Sequence, residues 1–246
     1  MPVSSLTAIV WDFDNTLVDS REKNLSVTRT IVERITGKPA LEFDALVSVT
    51  AYDRAHHRAH NWQSFYQHEL GLESGCVRQA GDLWTEYQLR DRTPTPFFEG
   101  ISEVLEALDG LPHGIVSQNS RGMILRELGR AGLSERFGHI VGYEEVAYHT
   151  QKPAPDGLLD CLQTLTDLRP GRALYIGDHH TDLECARNAD RELSRRDVDV
   201  TVLSVLAAYG TVADGVDAPW ARQAGFRADA PTDILDIASR VSSPSV

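Results

Sequence analysis

The sequence predicts an α/β protein, with a Rossmann-like parallel sheet core interrupted by an inserted, mainly helical cap domain. Short apolar runs rich in β-branched residues stand at 7–11, 114–116, 173–176 and 200–205, each ending in small or polar residues. Amphipathic stretches separate them, the alternation expected of βα units feeding a parallel sheet. Between the first and second runs, a span from about residue 19 to 93 places apolar residues at helical spacing and holds no convincing strand.

The first run leads into Asp12-Phe13-Asp14-Asn15-Thr16, which puts two carboxylates directly after a buried strand. Desolvating a carboxylate costs several kcal/mol unless hydrogen bonds or a cation compensate, so the rest of the chain must supply partners. The helical span follows, with Val27, Ile31, Val32 and Ile35, then Trp62, Phe65 and Tyr66, as its expected core. Arg92-Thr93-Pro94-Thr95-Pro96 is a stiff linker out of it. The chain is therefore divided into an α/β core at 1–18 and 95–246 and a cap at 19–94.

The second run is followed by Ser117, Gln118 and Asn119, then by a helical pattern at 122–133 carrying Ile124, Leu125, Leu128 and Ala131. Leu158, Leu159, Leu162 and Leu165 mark another sheet-covering helix. The third run ends in Gly177 and Asp178, with Asp182 four residues further on. A charged stretch at 190–197 would lengthen a helix or form a loop near the cleft, and 242–246 reads as a frayed tail.

Composition narrows the class of function. With 246 residues, 41% hydrophobic and 24% charged, the chain can bury a sizeable core, and disordered or fibrous classes are excluded. A formal net charge of -12 argues against a nucleic-acid or membrane-surface partner. An anionic substrate would then need a local cationic pocket. The odd set Cys76, Cys161 and Cys185 reads as reduced packing thiols. With no basic leader and no spanning apolar window, a cytoplasmic protein is the expectation. Oligomeric state is not legible.

In open α/β sheets, ligands bind beyond the carboxyl ends of the strands, so the residues after each run are candidates for one site. In order along the chain these are Asp12 and Asp14, Ser117 to Asn119, Lys152 with Pro153, and Gly177-Asp178-His179-His180-Thr181-Asp182. Together they resemble the four motifs of the haloacid dehalogenase superfamily of phosphotransferases. The helical span matches the family's inserted cap in position and length. Asn15 stands where many members have Gly, and Gln118 separates Ser117 from Asn119.

The resemblance implies a Mg²⁺-dependent phosphatase acting on a small phosphorylated metabolite through an aspartyl-phosphate. Phosphoryl transfer independently requires a nucleophile, cations for the equatorial oxygens and a proton donor. Asp12 is the expected nucleophile and Asp14 the acid and base. The expected metal set is Asp12, Asp14 through its backbone carbonyl, Asp178 and Asp182. Lys152, Ser117, Gln118, Asn119 and Thr16 form the expected substrate- and phosphate-binding set, with Thr16 orienting the loop. A phosphosugar mutase uses the same residues, and a non-catalytic phosphate-binding module is the alternative from another class. Dehalogenation and phosphonate cleavage are disfavoured because those members lack the second acid.

Other polar groups carry plainer readings. His179 and His180 are adjacent and cannot easily share one metal ion. His56 and His60 have the i, i+4 spacing of a zinc pair but no third ligand in view. They are expected on a solvated or substrate-facing surface, and Arg54 and Arg58 on a solvated helix face.

Overall fold

The structure is a computed structural model and describes residues 5–211 and 218–242. Strand β1 (Leu6–Trp11) is followed by α1 (Arg21–Thr36), α2 (Val49–Arg58), the single turn α3 (Trp62–Ser64) running on as a π-helical segment (Phe65–Glu69), and α4 (Ser74–Arg90). Then come α5 (Ile101–Ala107), β2 (His113–Val116), α6 (Arg121–Ala131), β3 (His139–Val141), α7 (Asp156–Thr166) and β4 (Gly171–Gly177). The chain continues through α8 (His180–Arg195), β5 (Val200–Ala207), β6 (Phe226–Ala228) and α9 (Asp233–Ser242). Of the expected tail, Ser242 closes α9 and the remainder lies outside the described residues.

The six strands form one parallel sheet in the order β3-β2-β1-β4-β5-β6. Successive side chains alternate between its two faces, and both faces are buried, which is why the strands read as continuous apolar runs. Ile9, Trp11, Ile115, Ile176 and Val205 pack on one side against α5, α6 and α9. Ala8, Val10, Val116 and Tyr175 pack on the other against α7 and α8, whose Cys161 and Cys185 are buried free thiols. The connection leaving β1 leads to β2 on one side, while the one leaving β3 returns to β4 on the other. The carboxyl ends of β1 and β4 therefore flank the topological switch point, where a crevice opens.

The helices from α1 to α4 gather around a separate apolar cluster that includes Leu25, Ile31, Val32, Leu46, Phe65, Tyr66 and Ala80. Trp62 is only half-buried at its edge. The charged stretch at 190–197 extends α8 to Arg195. Within it, Asp190 Oδ1 accepts from the Val202 N–H of β5 at 2.9 Å, so that acid ties the helix to the sheet. No helix among the described residues is long and apolar enough to cross a membrane.

Candidate active site

Beyond Trp11 the sheet ladder continues for one residue, with Asp12 N–H donating to the Ile176 carbonyl at 2.7 Å. The chain then turns. Asn15 adopts φ 55°, and its N–H donates to the Val18 carbonyl at 2.7 Å. Asn is among the few residues with a side chain that visit this left-handed region readily, which accounts for Asn15 where glycine is common. A Cβ at Gly210 would overlap the Asn15 carbonyl, so the chain after β5 can press on this turn only as glycine. The turn brings Asp12 and Asp14 to the wall of one cavity of about 1170 Å³, which Ser117, Lys152, Asp178 and Asp182 also line.

Lys152 is the cation the acidic chain requires. Its Nζ donates to Asp12 Oδ1 at 2.7 Å and to Asp182 Oδ1 at 2.6 Å, with all three side chains buried. Asp182 reaches this position from the first turn of α8. The Tyr175 hydroxyl donates to its Oδ1 at 3.2 Å and the His179 N–H to its Oδ2 at 3.1 Å. A Cβ at Gly177 would overlap the Asp182 carboxyl group, so the glycine ending β4 makes room for it.

Burial sets the electrostatics. It pushes the Asp12 carboxyl up to about 7, against the lowering effect of Lys152. Asp178 is raised well above the usual carboxylate range by burial, then by Asp182 and Asp12. Asp14 is raised by burial, offset by hydrogen bonds including that from Asn119. For Lys152 burial works downward, but Asp12 and Asp182 overcome it and hold the ammonium above the ordinary lysine range.

Carboxylate oxygens of Asp12, Asp178 and Asp182 lie within 4.8 Å of one another, all buried. One ammonium among three acids leaves negative charge uncompensated, and an all-oxygen donor set suits a hard divalent cation. The residues present therefore fit Mg²⁺. The Asp14 carboxylate does not belong to this trio. It accepts from Asn119 Nδ2 at 2.8 Å and from Asn24 Nδ2 at 3.5 Å.

The expected phosphate-binding residues divide. Ser117 Oγ lines the cavity and accepts from Asn119 N–H at 3.2 Å, while the Ser117 N–H is committed to the Val141 carbonyl at 3.0 Å. Gln118 lines the cavity and donates from Nε2 to the Lys152 carbonyl at 3.2 Å, linking the two loops. Asn119 faces Asp14. Thr16 departs from the expectation: it is fully buried, its hydroxyl has no hydrogen-bond partner among the described residues, and it does not line the cavity. Its carbonyl accepts from the Tyr209 hydroxyl at 2.9 Å, a role in holding the loop.

The inserted helices bring residues that sequence reasoning did not single out. Asp53 is buried and lines the cavity, and His57 Nε2 lies 2.8 Å from Thr211 Oγ1 and 3.9 Å from Asp178 Oδ2. The His56 ring lies tilted against that of His179, with centroids 5.4 Å apart, and His60 lies tilted against His180 at 5.5 Å. His56 lines the cavity and His60 is exposed, each beside a core histidine. Burial, then His57, lowers the His56 pKa to about 4, leaving a neutral ring at pH 7. Arg58 does lie on an exposed face, paired with Glu69. The i, i+4 pattern identified one helix face, but which face turned toward the core depends on packing between distant elements.

A doubly wound sheet carrying a buried carboxylate cluster and a lysine at its switch point suits phosphoryl-transfer chemistry. Residues 9–193 match the family described as Haloacid dehalogenase-like hydrolase, and the chain belongs to that family. Pyrophosphatase PpaX from Listeria monocytogenes is 28% identical over 196 residues, 75% of this chain and 80% of its own. N-acetylmuramic acid 6-phosphate phosphatase from Pseudomonas aeruginosa is 28% identical over 188 residues, 75% of this chain and 78% of its own. Among solved structures, a Lactobacillus plantarum protein provisionally described as a phosphoglycolate phosphatase superposes with a TM-score of 0.74 at 22% identity, covering 95% of this chain and 99% of that one. A haloacid dehalogenase-like hydrolase from Streptococcus pneumoniae gives 0.68 at 20% identity, with coverage of 94% and 98%. At these identities the structural likeness establishes the fold.

Proposed function

We propose that the chain is a Mg²⁺-dependent phosphatase that hydrolyses a small phosphorylated metabolite through an aspartyl-phosphate on Asp12. The observation that carries this reading is the Lys152 ammonium bridging Asp12 and Asp182 beside Asp178, with Asp14 held separately by Asn119. Phosphatases among the relatives, including the phosphoglycolate phosphatase of Yersinia pestis at 27% identity over 193 residues, support it.

Asp12 lends a carboxylate oxygen for attack on phosphorus, its ionised form favoured by Lys152. Asp12, Asp178, Asp182 and the Asp14 carbonyl would hold Mg²⁺, which when bound neutralises charge on the transferring phosphoryl oxygens. Lys152 and the Ser117 hydroxyl bind and orient the same group. Asp14 protonates the leaving oxygen and then takes a proton from water. Its raised pKa keeps it able to hold a proton, and Asn119 fixes its position. Residues 19–94 act as the cap that covers the crevice and excludes water.

A phosphate-release assay over phosphorylated metabolites, with and without Mg²⁺, tests the reading. Mg²⁺-dependent release that disappears in Asp12→Asn is the expected result. Release without metal, or an Asp12→Asn enzyme near the wild-type rate, would contradict it.

A further inference from the structure

The helical side of the cavity does not suit a small, doubly anionic substrate. At about 1170 Å³ the cavity lies at or above the range of roughly 300–1,000 Å³ typical of pockets that enclose whole organic ligands. Its helical wall carries the partly exposed Trp62 and Trp84, and the core adds Tyr143 and Tyr148, the latter 66% exposed. Those two tyrosines are fixed across the crevice: Tyr143 shares a hydrogen bond of 2.7 Å with Thr85, and Tyr148 accepts from Gln63. Aromatic faces held in this way favour flat or ring-shaped apolar surfaces.

Charge points the same way. Among the described residues lining the cavity, positive charge comes from Lys152 and Arg78, and Lys152 is already shared between Asp12 and Asp182. His56 on the helical side is held neutral, chiefly by burial. The helical side also carries the acids Asp53, buried and 3.7 Å from His57 Nε2, and Asp82, exposed. A second carboxylate or phosphate on the substrate would be desolvated beside acids, with Arg78 as its one cation. Gln67, Gln79 and Ser74 instead offer uncharged donors and acceptors suited to hydroxyl or amide groups.

Resting on the phosphatase reading above, we infer that the substrate is a phosphate monoester whose leaving alcohol is bulky and ring-bearing and carries no second anionic group. The class is that of nucleoside, sugar or aryl monophosphates. Phosphoglycolate and pyrophosphate, named for relatives of this chain, fall outside it.

The test measures kcat/KM of the wild-type enzyme with Mg²⁺ for nucleoside 5′-monophosphates, hexose phosphates and phenyl phosphate, against 2-phosphoglycolate and pyrophosphate. The best ring-bearing ester is expected to exceed both small anions by at least about tenfold, the scale of discrimination that pocket contacts provide. A smaller ratio, or a preference for either anion, overturns the inference while leaving the phosphatase reading intact. Failure to release phosphate from any substrate would instead overturn the reading on which it rests. Trp84→Ala is expected to reduce the ratio, and an unchanged ratio in that folded variant would count against the aromatic wall.

Discussion

The Nζ of Lys152 lies 2.7 Å from Asp12 Oδ1, a buried ion pair between residues 140 apart in sequence. Asp182 completes the bridge at 2.6 Å. Removing the shared cation leaves two carboxylates buried without compensation, a change that typically costs about 3–5 kcal/mol. Lys152→Met is therefore expected to lower stability by an amount of that order in metal-free protein, measured by denaturant unfolding, and to abolish most turnover. Lys152→Arg should not restore activity, since the larger planar guanidinium does not reproduce the compact ammonium that fits between two carboxylates here.

Asn119 Nδ2 donates to Asp14 Oδ2 at 2.8 Å. A hydrogen bond to a charged group contributes about 1.5–3 kcal/mol, which sets the expected loss of kcat in Asn119→Ala at roughly ten- to hundredfold. KM should change little, because the lost contact orients the acid rather than the substrate. Steady-state kinetics separate the two, and a rise in KM alone would place Asn119 on the substrate instead.

The clustered carboxylates of Asp12, Asp178 and Asp182 should make divalent cations stabilising. Binding to the folded state alone adds RT ln(1 + [L]/Kd), about 2.7 kcal/mol at a hundredfold excess over Kd. Mg²⁺ is expected to raise the melting temperature of the wild type and to do so far less in Asp178→Asn. EDTA should abolish activity and Mg²⁺ restore it. Restoration by Zn²⁺ alone would contradict an all-oxygen site and bring the histidines back into consideration.

His113 gives a pH dependence away from the active site. Its Nδ1 accepts from Trp11 Nε1 at 3.0 Å and its Nε2 lies 3.1 Å from the Leu108 carbonyl, the pattern of a neutral ring. Burial lowers its pKa below the unfolded value of 6.5. As pH falls through that value the unfolded chain takes up a proton that the folded chain refuses, so stability drops on the acid side and is regained as pH rises. Between pH 7 and about pH 5, the wild-type melting temperature is expected to fall more steeply than that of His113→Gln. Parallel slopes would show that His113 does not titrate differently in the two states.

The core was legible because its signals are local. Strands buried on both faces read as apolar runs, and the residues just after them share one crevice by topology. That is how Asp12, Lys152, Asp178 and Asp182 could be named together. The edge strands β3 and β6 passed unread, since three residues each leave no periodicity to detect. The Asn119–Asp14 contact spans 105 residues and depends on the turn at Asn15, which shifts the acid off the strand axis. Thr16 sat inside a motif but points into packed protein, because the same turn that presents Asp14 buries it. His57 lacked any sequence signal, as its neighbours His179 and Thr211 come from the residue just before α8 and the segment after β5. The charged stretch after Ala189 left helix and loop both open from composition; it lengthens α8, and Asp190 serves the helix-to-sheet joint.

The proposed covalent role of Asp12 is tested most directly by trapping. Enzyme mixed with a substrate phosphate ester and Mg²⁺, quenched in acid during turnover and digested, is examined by mass spectrometry for the peptide containing Asp12. A phosphoryl adduct on Asp12 that forms during turnover and is absent from Asp12→Asn is the predicted result. Full turnover with no adduct on that peptide, or an adduct on another residue, would contradict the account.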